Sequence, residues 1–256
     1  MPRLLIIGCV TSLLAALPSA TGALAQEPKQ PKGIVELFTS QGCSSCPKAD
    51  QALETLIRDG DVVALAYHVD YWNYLGWADT LSSKENTERQ YSYARMFGRS
   101  SVYTPQAVIN GREHVNGGEL GQIRDQIETL STQGRGLSVD VSADIVQDEI
   151  RIRIGSGHGK ANVMVAYFND PQSVEIKEGE NRGRRVSYWH AVTDMETIGM
   201  WEGKETTLVL PASILHQKGT GGCAILLQRM KAADTPGAIL GATVMTPKLP
   251  QTANRK

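Results

Sequence analysis

Gly33-Ile34-Val35-Glu36-Leu37-Phe38-Thr39-Ser40-Gln41-Gly42-Cys43-Ser44-Ser45-Cys46-Pro47 is the stretch on which the fold turns. Gly33 to Thr39 is a short β-branched and apolar run, the pattern of a buried strand. Ser40-Gln41-Gly42 is a turn. Pro47 suits the first turn of a helix, where its missing N–H costs nothing, and Ala49, Leu53, Leu56 and Ile57 continue at helical spacing. Cys43 therefore falls at or just before a helix N-terminus. Asp59-Gly60-Asp61 breaks that helix, and Val62 to Val69 reads as a second buried strand.

Beyond it, nine of the chain's 15 aromatic residues lie between Tyr67 and Tyr103, which marks an insertion of about residues 70–101. Ser82-Ser83-Lys84-Glu85 resembles a capping box and predicts a helix over Lys84 to Met96. Thr104 to Gly111 reads as a strand closing in an Asn110-Gly111 turn, with Arg112 to Val115 returning. Leu120 to Leu130 has helical periodicity. After Gln133-Gly134-Arg135-Gly136 the period switches to two, and seven or eight short strands follow, the pattern of a β-sandwich.

Upstream, Arg3, the apolar Leu4 to Leu17 and Ala23-Leu24-Ala25 read as a signal peptide over residues 1–25. Ile6-Ile7-Gly8-Cys9 has the outline of a lipoprotein box, but the apolar run before Cys9 is only about five residues, against the ~7–15 of a normal signal core. From Gln26 onward there are 25 basic and 27 acidic residues, so no basic excess favours nucleic acid. No later apolar run reaches the ~18 residues of a membrane span. Charged residues at 21% and apolar ones at 41% fit a globular chain. Three cysteines remain after the signal, Cys43, Cys46 and Cys223, too few for a disulfide scaffold.

The first strand, the C-S-S-C, the second strand and the Thr104-Pro105 strand together resemble the thioredoxin fold. Val35 to Pro47, His68-Val69-Asp70-Tyr71-Trp72, Leu75-Gly76-Trp77, Val102 to Gln106 and Gly179 to Arg184 resemble an uncharacterised bacterial family of secreted thioredoxin-like proteins, domain of unknown function 1223, over about Gly33 to Met245. The resemblance implies an α/β thioredoxin-like domain (33–133) with a helical, aromatic-rich insertion, followed by an all-β, sandwich-like domain (137–247). It implies a redox role without a substrate. It also implies a cis Thr104-Pro105 bond and a substrate-contacting Thr104. Thioredoxin carries a buried aspartate six residues before its first active cysteine; here Leu37 stands there, leaving Glu36, His68 or Asp70 as replacements for a proton relay. Glu36, next to Leu37, is expected on the opposite face of its strand.

The thiolate is the reactive form of cysteine, with a free pKa of ~8.5, and a helix N-terminus stabilises it. Cys43 is thus expected to be an exposed nucleophile and Cys46 the resolving thiol; a metal site and an inert disulfide are the alternatives. The leading reading is an exported thiol–disulfide oxidoreductase, periplasmic or secreted. It needs no cofactor, and its partners are client proteins with cysteines or a redox-regenerating protein. The second reading is a periplasmic copper carrier using Cys43, Cys46 and His68, since soft thiolates favour Cu(I). A third is a structural module with a relic redox fold. Thr104, Pro105 and Trp72 are the expected substrate contacts. Cys223, in Cys223-Ala224-Ile225-Leu226-Leu227, reads as a core thiol. Arg182 or Arg184 is expected to pair with an acid of the first domain.

Overall fold

The computed structural model describes residues 30–217, 221–232 and 235–246. The expected signal segment, Cys9 and the end of the chain from residue 247 lie outside the described residues. The fold is mixed α/β. Strand β1 (Ile34–Thr39) is buried along its whole length, runs parallel to β2 (Val63–His68), and pairs antiparallel with β3 (Gln106–Ile109), which pairs with β4 (Glu113–Asn116). The order is β2-β1-β3-β4. Helix α1 (Cys46–Asp59) joins β1 to β2, α2 (Lys84–Met96) lies between β2 and β3, and α3 (Leu120–Thr132) follows β4. Ser83 caps α2 by accepting the Asn86 N–H. Asn110 and Gly111 both take positive φ, as the tight β3–β4 turn requires.

Past residue 136, β5 (Val141–Val146), β6 (Glu149–Ile154) and β11 (Thr206–Pro211) form a three-stranded sheet. A four-stranded sheet has the order β10-β7-β12-β13, built from β7 (Ala161–Phe168), β10 (Val192–Trp201), β12 (Gly222–Ala232) and β13 (Thr235–Met245). Strands β8 (Gln172–Glu175) and β9 (Arg185–Tyr188) form a separate hairpin, and α4 (Ser213–Gln217) is a short helix. Alternation marks β5 and β6 in the sequence, and runs between glycine, asparagine and aspartate clusters mark β7, β9, β11, β12 and β13. Neither signal marks β8 or β10, and Thr193 to Met200 of β10 are part-buried or exposed.

Strand alternation sorts the first sheet's side chains between two cores. Val35 and Leu37 of β1, Ala64 and Ala66 of β2, and Ala107 and Ile109 of β3 pack under α1 and α3. Ile34, Phe38, Val63, Leu65, Tyr67 and Val108 face the other way, onto Ala166, Phe168, Leu226 and Ile239 of the four-stranded sheet. A third core lies between that sheet and the three-stranded one. The two halves on either side of residues 133–136 are therefore fused through a shared core rather than joined by a hinge.

Glu36 falls on the shared-core face, wholly buried. Its carboxylate pairs with Arg89 of α2 at 2.6 Å and accepts from the Tyr93 hydroxyl. Arg89 also donates to Gln228 of β12 at 3.0 Å, so this pair pins the helix between both halves. Removing one member of a buried ion pair leaves a bare charge and typically costs about 3–5 kcal/mol. Arg89→Met is expected to lower stability in urea unfolding by about 3 kcal/mol, and adding Glu36→Gln should recover part of that loss.

Candidate functional site

At the C-terminal edge of the first sheet, β1 ends at Thr39 and hands the chain to the Ser40–Gly42 turn and the cysteines. Cys43 and Cys46 are joined in a disulfide, with Cα atoms 5.4 Å apart. Cys46 opens α1, with Ser45 at its N-cap and Pro47 in its first turn. The Cys43 sulfur lies 3.4 Å from the Ser45 hydroxyl. Ser44 and Ser45 are exposed. The expectation of an exposed Cys43 is corrected: it is 1% exposed, and Cys46 is 0%. The loop that carries Cys43 is held from outside by a segment remote in sequence.

That segment is the tip of the β8–β9 hairpin. Asn181 is fully buried and donates both Nδ2 protons, to the carbonyls of Gln41 (2.9 Å) and Cys43 (2.7 Å). The neighbouring Glu180 carboxylate accepts the Ser44 N–H at 3.2 Å. Arg182 and Arg184 are exposed, so the bridge between halves is made by Glu180 and Asn181 rather than by the arginines the sequence pointed to.

Gln41 is the hub of the turn. Its N–H goes to Asp79 at 2.8 Å, and its side-chain carbonyl accepts from Trp77 Nε1 (2.8 Å) and the Thr80 N–H (3.2 Å). Trp72 also stands against the turn: a Cβ at Gly42 would lie 3.0 Å from the Trp72 Cβ. Its indole N–H donates to Thr104 Oγ1 at 2.8 Å, and the Thr104–Pro105 bond is cis. The three expected contact residues Trp72, Thr104 and Pro105 thus meet in space, with Pro105 buried. The other aromatics divide: Tyr67 and Tyr93 are core, whereas Tyr74 is 79% exposed.

The expected relay residues separate by strand parity. Glu36 is committed to Arg89 on the far face. Asp70, two residues past the end of β2, accepts the Thr87 hydroxyl at 2.6 Å. His68 lies on the α1 face, wholly buried, with Nδ1 2.8 Å from Asp79. Burial opposes the charged imidazole, but the Asp79 carboxylate, and after it Asp50, outweigh burial and hold His68 above its ordinary pKa. Asp79 is held low against its own burial by the His68 charge and by the His68, Gln41 and Leu81 hydrogen bonds. His68 does not join Cys43 and Cys46 in a metal-ligand cluster: among the described residues no three His, Cys, Asp or Glu side chains are so grouped.

Asp50 was not singled out from the sequence. It sits one helical turn after Cys46, within the apolar stripe of Ala49, Leu53 and Leu56, and residues four apart on a helix are neighbours. A carboxylate inside an apolar stripe is the signal that could have found it. Thr39 donates to one of its oxygens at 2.8 Å, and the other has no partner. Burial raises its pKa to about 7, only partly offset by the His68 charge and the Thr39 hydroxyl, with Asp79 pushing further up. His68 Nε2 and the Tyr188 hydroxyl are likewise buried without partners, and the two rings meet edge-on at 4.9 Å. Cys223 is buried in β12, and burial pushes its thiol up to about 12.

A family search matches residues 34–228 to the family described as "Protein of unknown function (DUF1223)". A crystal structure of a protein from Agrobacterium tumefaciens is similar at 53% identity, over 86% of this chain and 96% of that one, with a TM-score of 0.79. HBP35 of Porphyromonas gingivalis shares the fold at 13% identity, over 90% of this chain and 80% of that one, with a TM-score of 0.60. No curated protein matches.

The folded chain holds a proton on Asp50 between its ordinary pKa of 3.8 and about 7, where the unfolded chain has lost it. Stability must therefore fall as pH rises through that window. Asp50→Asn removes the fall. In urea unfolding of the oxidised protein its advantage over the parent should grow from pH 4 to pH 7, reaching up to about 4 kcal/mol at pH 8. Parallel curves for the two proteins would show that Asp50 does not titrate there.

Proposed function

From the premise that the chain belongs to the DUF1223 family, we propose that it is an exported thiol–disulfide oxidoreductase of thioredoxin-like fold, working in the periplasm or outside the cell. The observation that carries this reading is the Cys43–Cys46 disulfide at the head of α1. Two cysteines one turn apart at a helix N-terminus have the geometry for reversible exchange. The partial positive charge there favours the thiolate, and the second sulfur is already within bonding reach of the first.

In the reducing direction, the Cys43 thiolate attacks one sulfur of a client disulfide. A mixed disulfide forms and the other client sulfur leaves as a thiolate, which takes up a proton. Cys46 then loses its proton and attacks Cys43. The internal disulfide forms and the second client thiolate departs. The two electrons have moved from the pair to the client, and the reverse sequence oxidises a client dithiol. Asp50, able to exchange a proton near neutral pH one turn from Cys46, suits the role of proton acceptor for the resolving thiol better than Glu36 or Asp70, which are committed elsewhere. Trp72 and Thr104, beside the turn, are the proposed client contacts. The copper reading lacks a ligand set: among the described residues no three His, Cys, Asp or Glu side chains are grouped to hold a metal.

Titration of the protein against glutathione, with alkylation and mass spectrometry, should give a reversible two-electron couple at Cys43 and Cys46. Cys223 should stay unmodified in the native state. A midpoint near ~−120 mV marks an oxidant and one near ~−270 mV a reductant. Cys43→Ser is expected to reduce exchange to background, and Cys46→Ser to accumulate mixed disulfides on Cys43. A pair that never cycles, or a Cys43→Ser protein that exchanges normally, overturns the proposal.

A further inference from the structure

A nucleophile that meets large clients cannot work while it is covered, yet Cys43 is 1% exposed. The hairpin that holds its loop has a fixed root and a lightly held tip. At the root, the Ala66 N–H donates to the His190 carbonyl at 3.0 Å, and His190 Nδ1 lies 2.9 Å from the Ala64 carbonyl. The Arg58 guanidinium of α1 stacks 4.5 Å over the Trp189 ring. The tip reaches the redox loop through three hydrogen bonds, two from Asn181 and one to Glu180. Gly179 and Gly183, at φ of +75° and +81°, bracket these two residues. A Cβ at Gly183 would touch nothing, so that glycine serves the backbone turn rather than close packing. Strands β8 and β9 pair with no third strand among the described residues, so the tip can lift without breaking a larger sheet.

The charge at the tip responds to the state of the cysteines. In the disulfide form the pair is neutral, and the Glu180 carboxylate takes the Ser44 N–H at the positive end of α1. Reduction by a dithiol breaks the Cys43–Cys46 bond. The dithiol's two electrons go to the pair, its two protons are shared between protein and solvent, and it leaves as its own disulfide. The Cys43 thiolate then draws on the same helix end, and two anions compete for it.

We propose that Glu180 and Asn181 are positioning residues of the cysteine site: with the disulfide closed they latch the β8–β9 tip onto the Cys43 loop, and the thiolate formed on reduction displaces Glu180, so that the tip, left on the two Asn181 bonds alone, opens more often. Asn181 supplies the hold and Glu180 the sensitivity to reduction. The inference rests on reading Cys43–Cys46 as a pair that cycles, and it makes the free thiolate the form that receives clients.

The test is amide hydrogen exchange over residues 179–184 and Ser44 in the full chain, oxidised and reduced, together with the rate of disulfide reduction by dithiothreitol. The parent protein should exchange slowly when oxidised and at least tenfold faster when reduced. Glu180→Gln keeps an acceptor but loses the charge, and should exchange slowly in both states. Asn181→Ala should exchange fast in both, and its disulfide should be reduced about tenfold faster than the parent's. A merely structural role would move both variants in the same direction. Equal exchange in the two states of the parent, or an Asn181→Ala disulfide reduced at the parental rate, overturns the latch. If Asn181→Ala does not fold, the parent and Glu180→Gln comparison decides alone. Dithiothreitol opens the bond whether or not glutathione does, so a pair that fails to cycle with glutathione sinks the functional reading separately from the latch.

Discussion

Burial of β1 on both faces is the constraint from which the site follows. Its side chains alternate, and each face has its own core, so a shift of one residue would exchange every contact. With Leu37 under α1 and Glu36 toward α2, the next α1-facing position is Thr39, and on the parallel neighbour it is His68. Thr39 donates to the buried Asp50 behind the cysteines, and the Asp50 charge acts on His68. The same parity makes Glu36 an anchor rather than a proton relay. Its ion pair with Arg89 ties α2 to the shared core instead of serving the disulfide.

The cluster behind the disulfide carries several buried polar groups, and only part of their bonding capacity is met. Asp79 is partnered on both oxygens, by His68 and two backbone N–H groups. Asp50, His68 and Tyr188 each keep a buried atom without a partner. An unpartnered buried polar atom costs of order 1–3 kcal/mol, so a chain selected for stability alone would favour apolar groups here. Asp79, bonded through both oxygens, holds His68 and Gln41 in place, and the under-partnered Asp50 keeps a proton exchangeable near neutrality. In front of the disulfide Asn181 spends both its protons on backbone carbonyls while its own Oδ1 stays buried without a partner.

Much of the frame is legible in the chain. The α2 helix follows from its capping serine, the β3–β4 turn from Asn-Gly, and the cysteine helix from Pro47. All are local signals, set by backbone preference within a few residues. After residue 136, β5 and β6 follow from alternation and most later strands from runs between turn residues. Strand β10 does not, because residues on both of its faces are part-exposed and no alternation is written into it. The exposure of Cys43 was misread for a related reason. Solvent access is a property of everything that packs around a residue, and one partner of the Cys43 backbone comes from 138 residues away.

The sequence by itself determined that two cysteines one turn apart sit at a helix start after a buried strand, since spacing, Pro47 and apolar runs are local facts. It also determined that Glu36 and Leu37 oppose each other, because alternation needs no partner. Tertiary structure alone decided that Asn181 and Glu180, not the neighbouring arginines, touch the cysteine loop, and that the two halves share one core. It also decided that Asp50 accepts from Thr39 and that its charge acts on His68 and Tyr188. Those interactions join residues from 11 to more than a hundred positions apart. No local periodicity encodes them, and they exist only once sheets and helices have stacked in a single register.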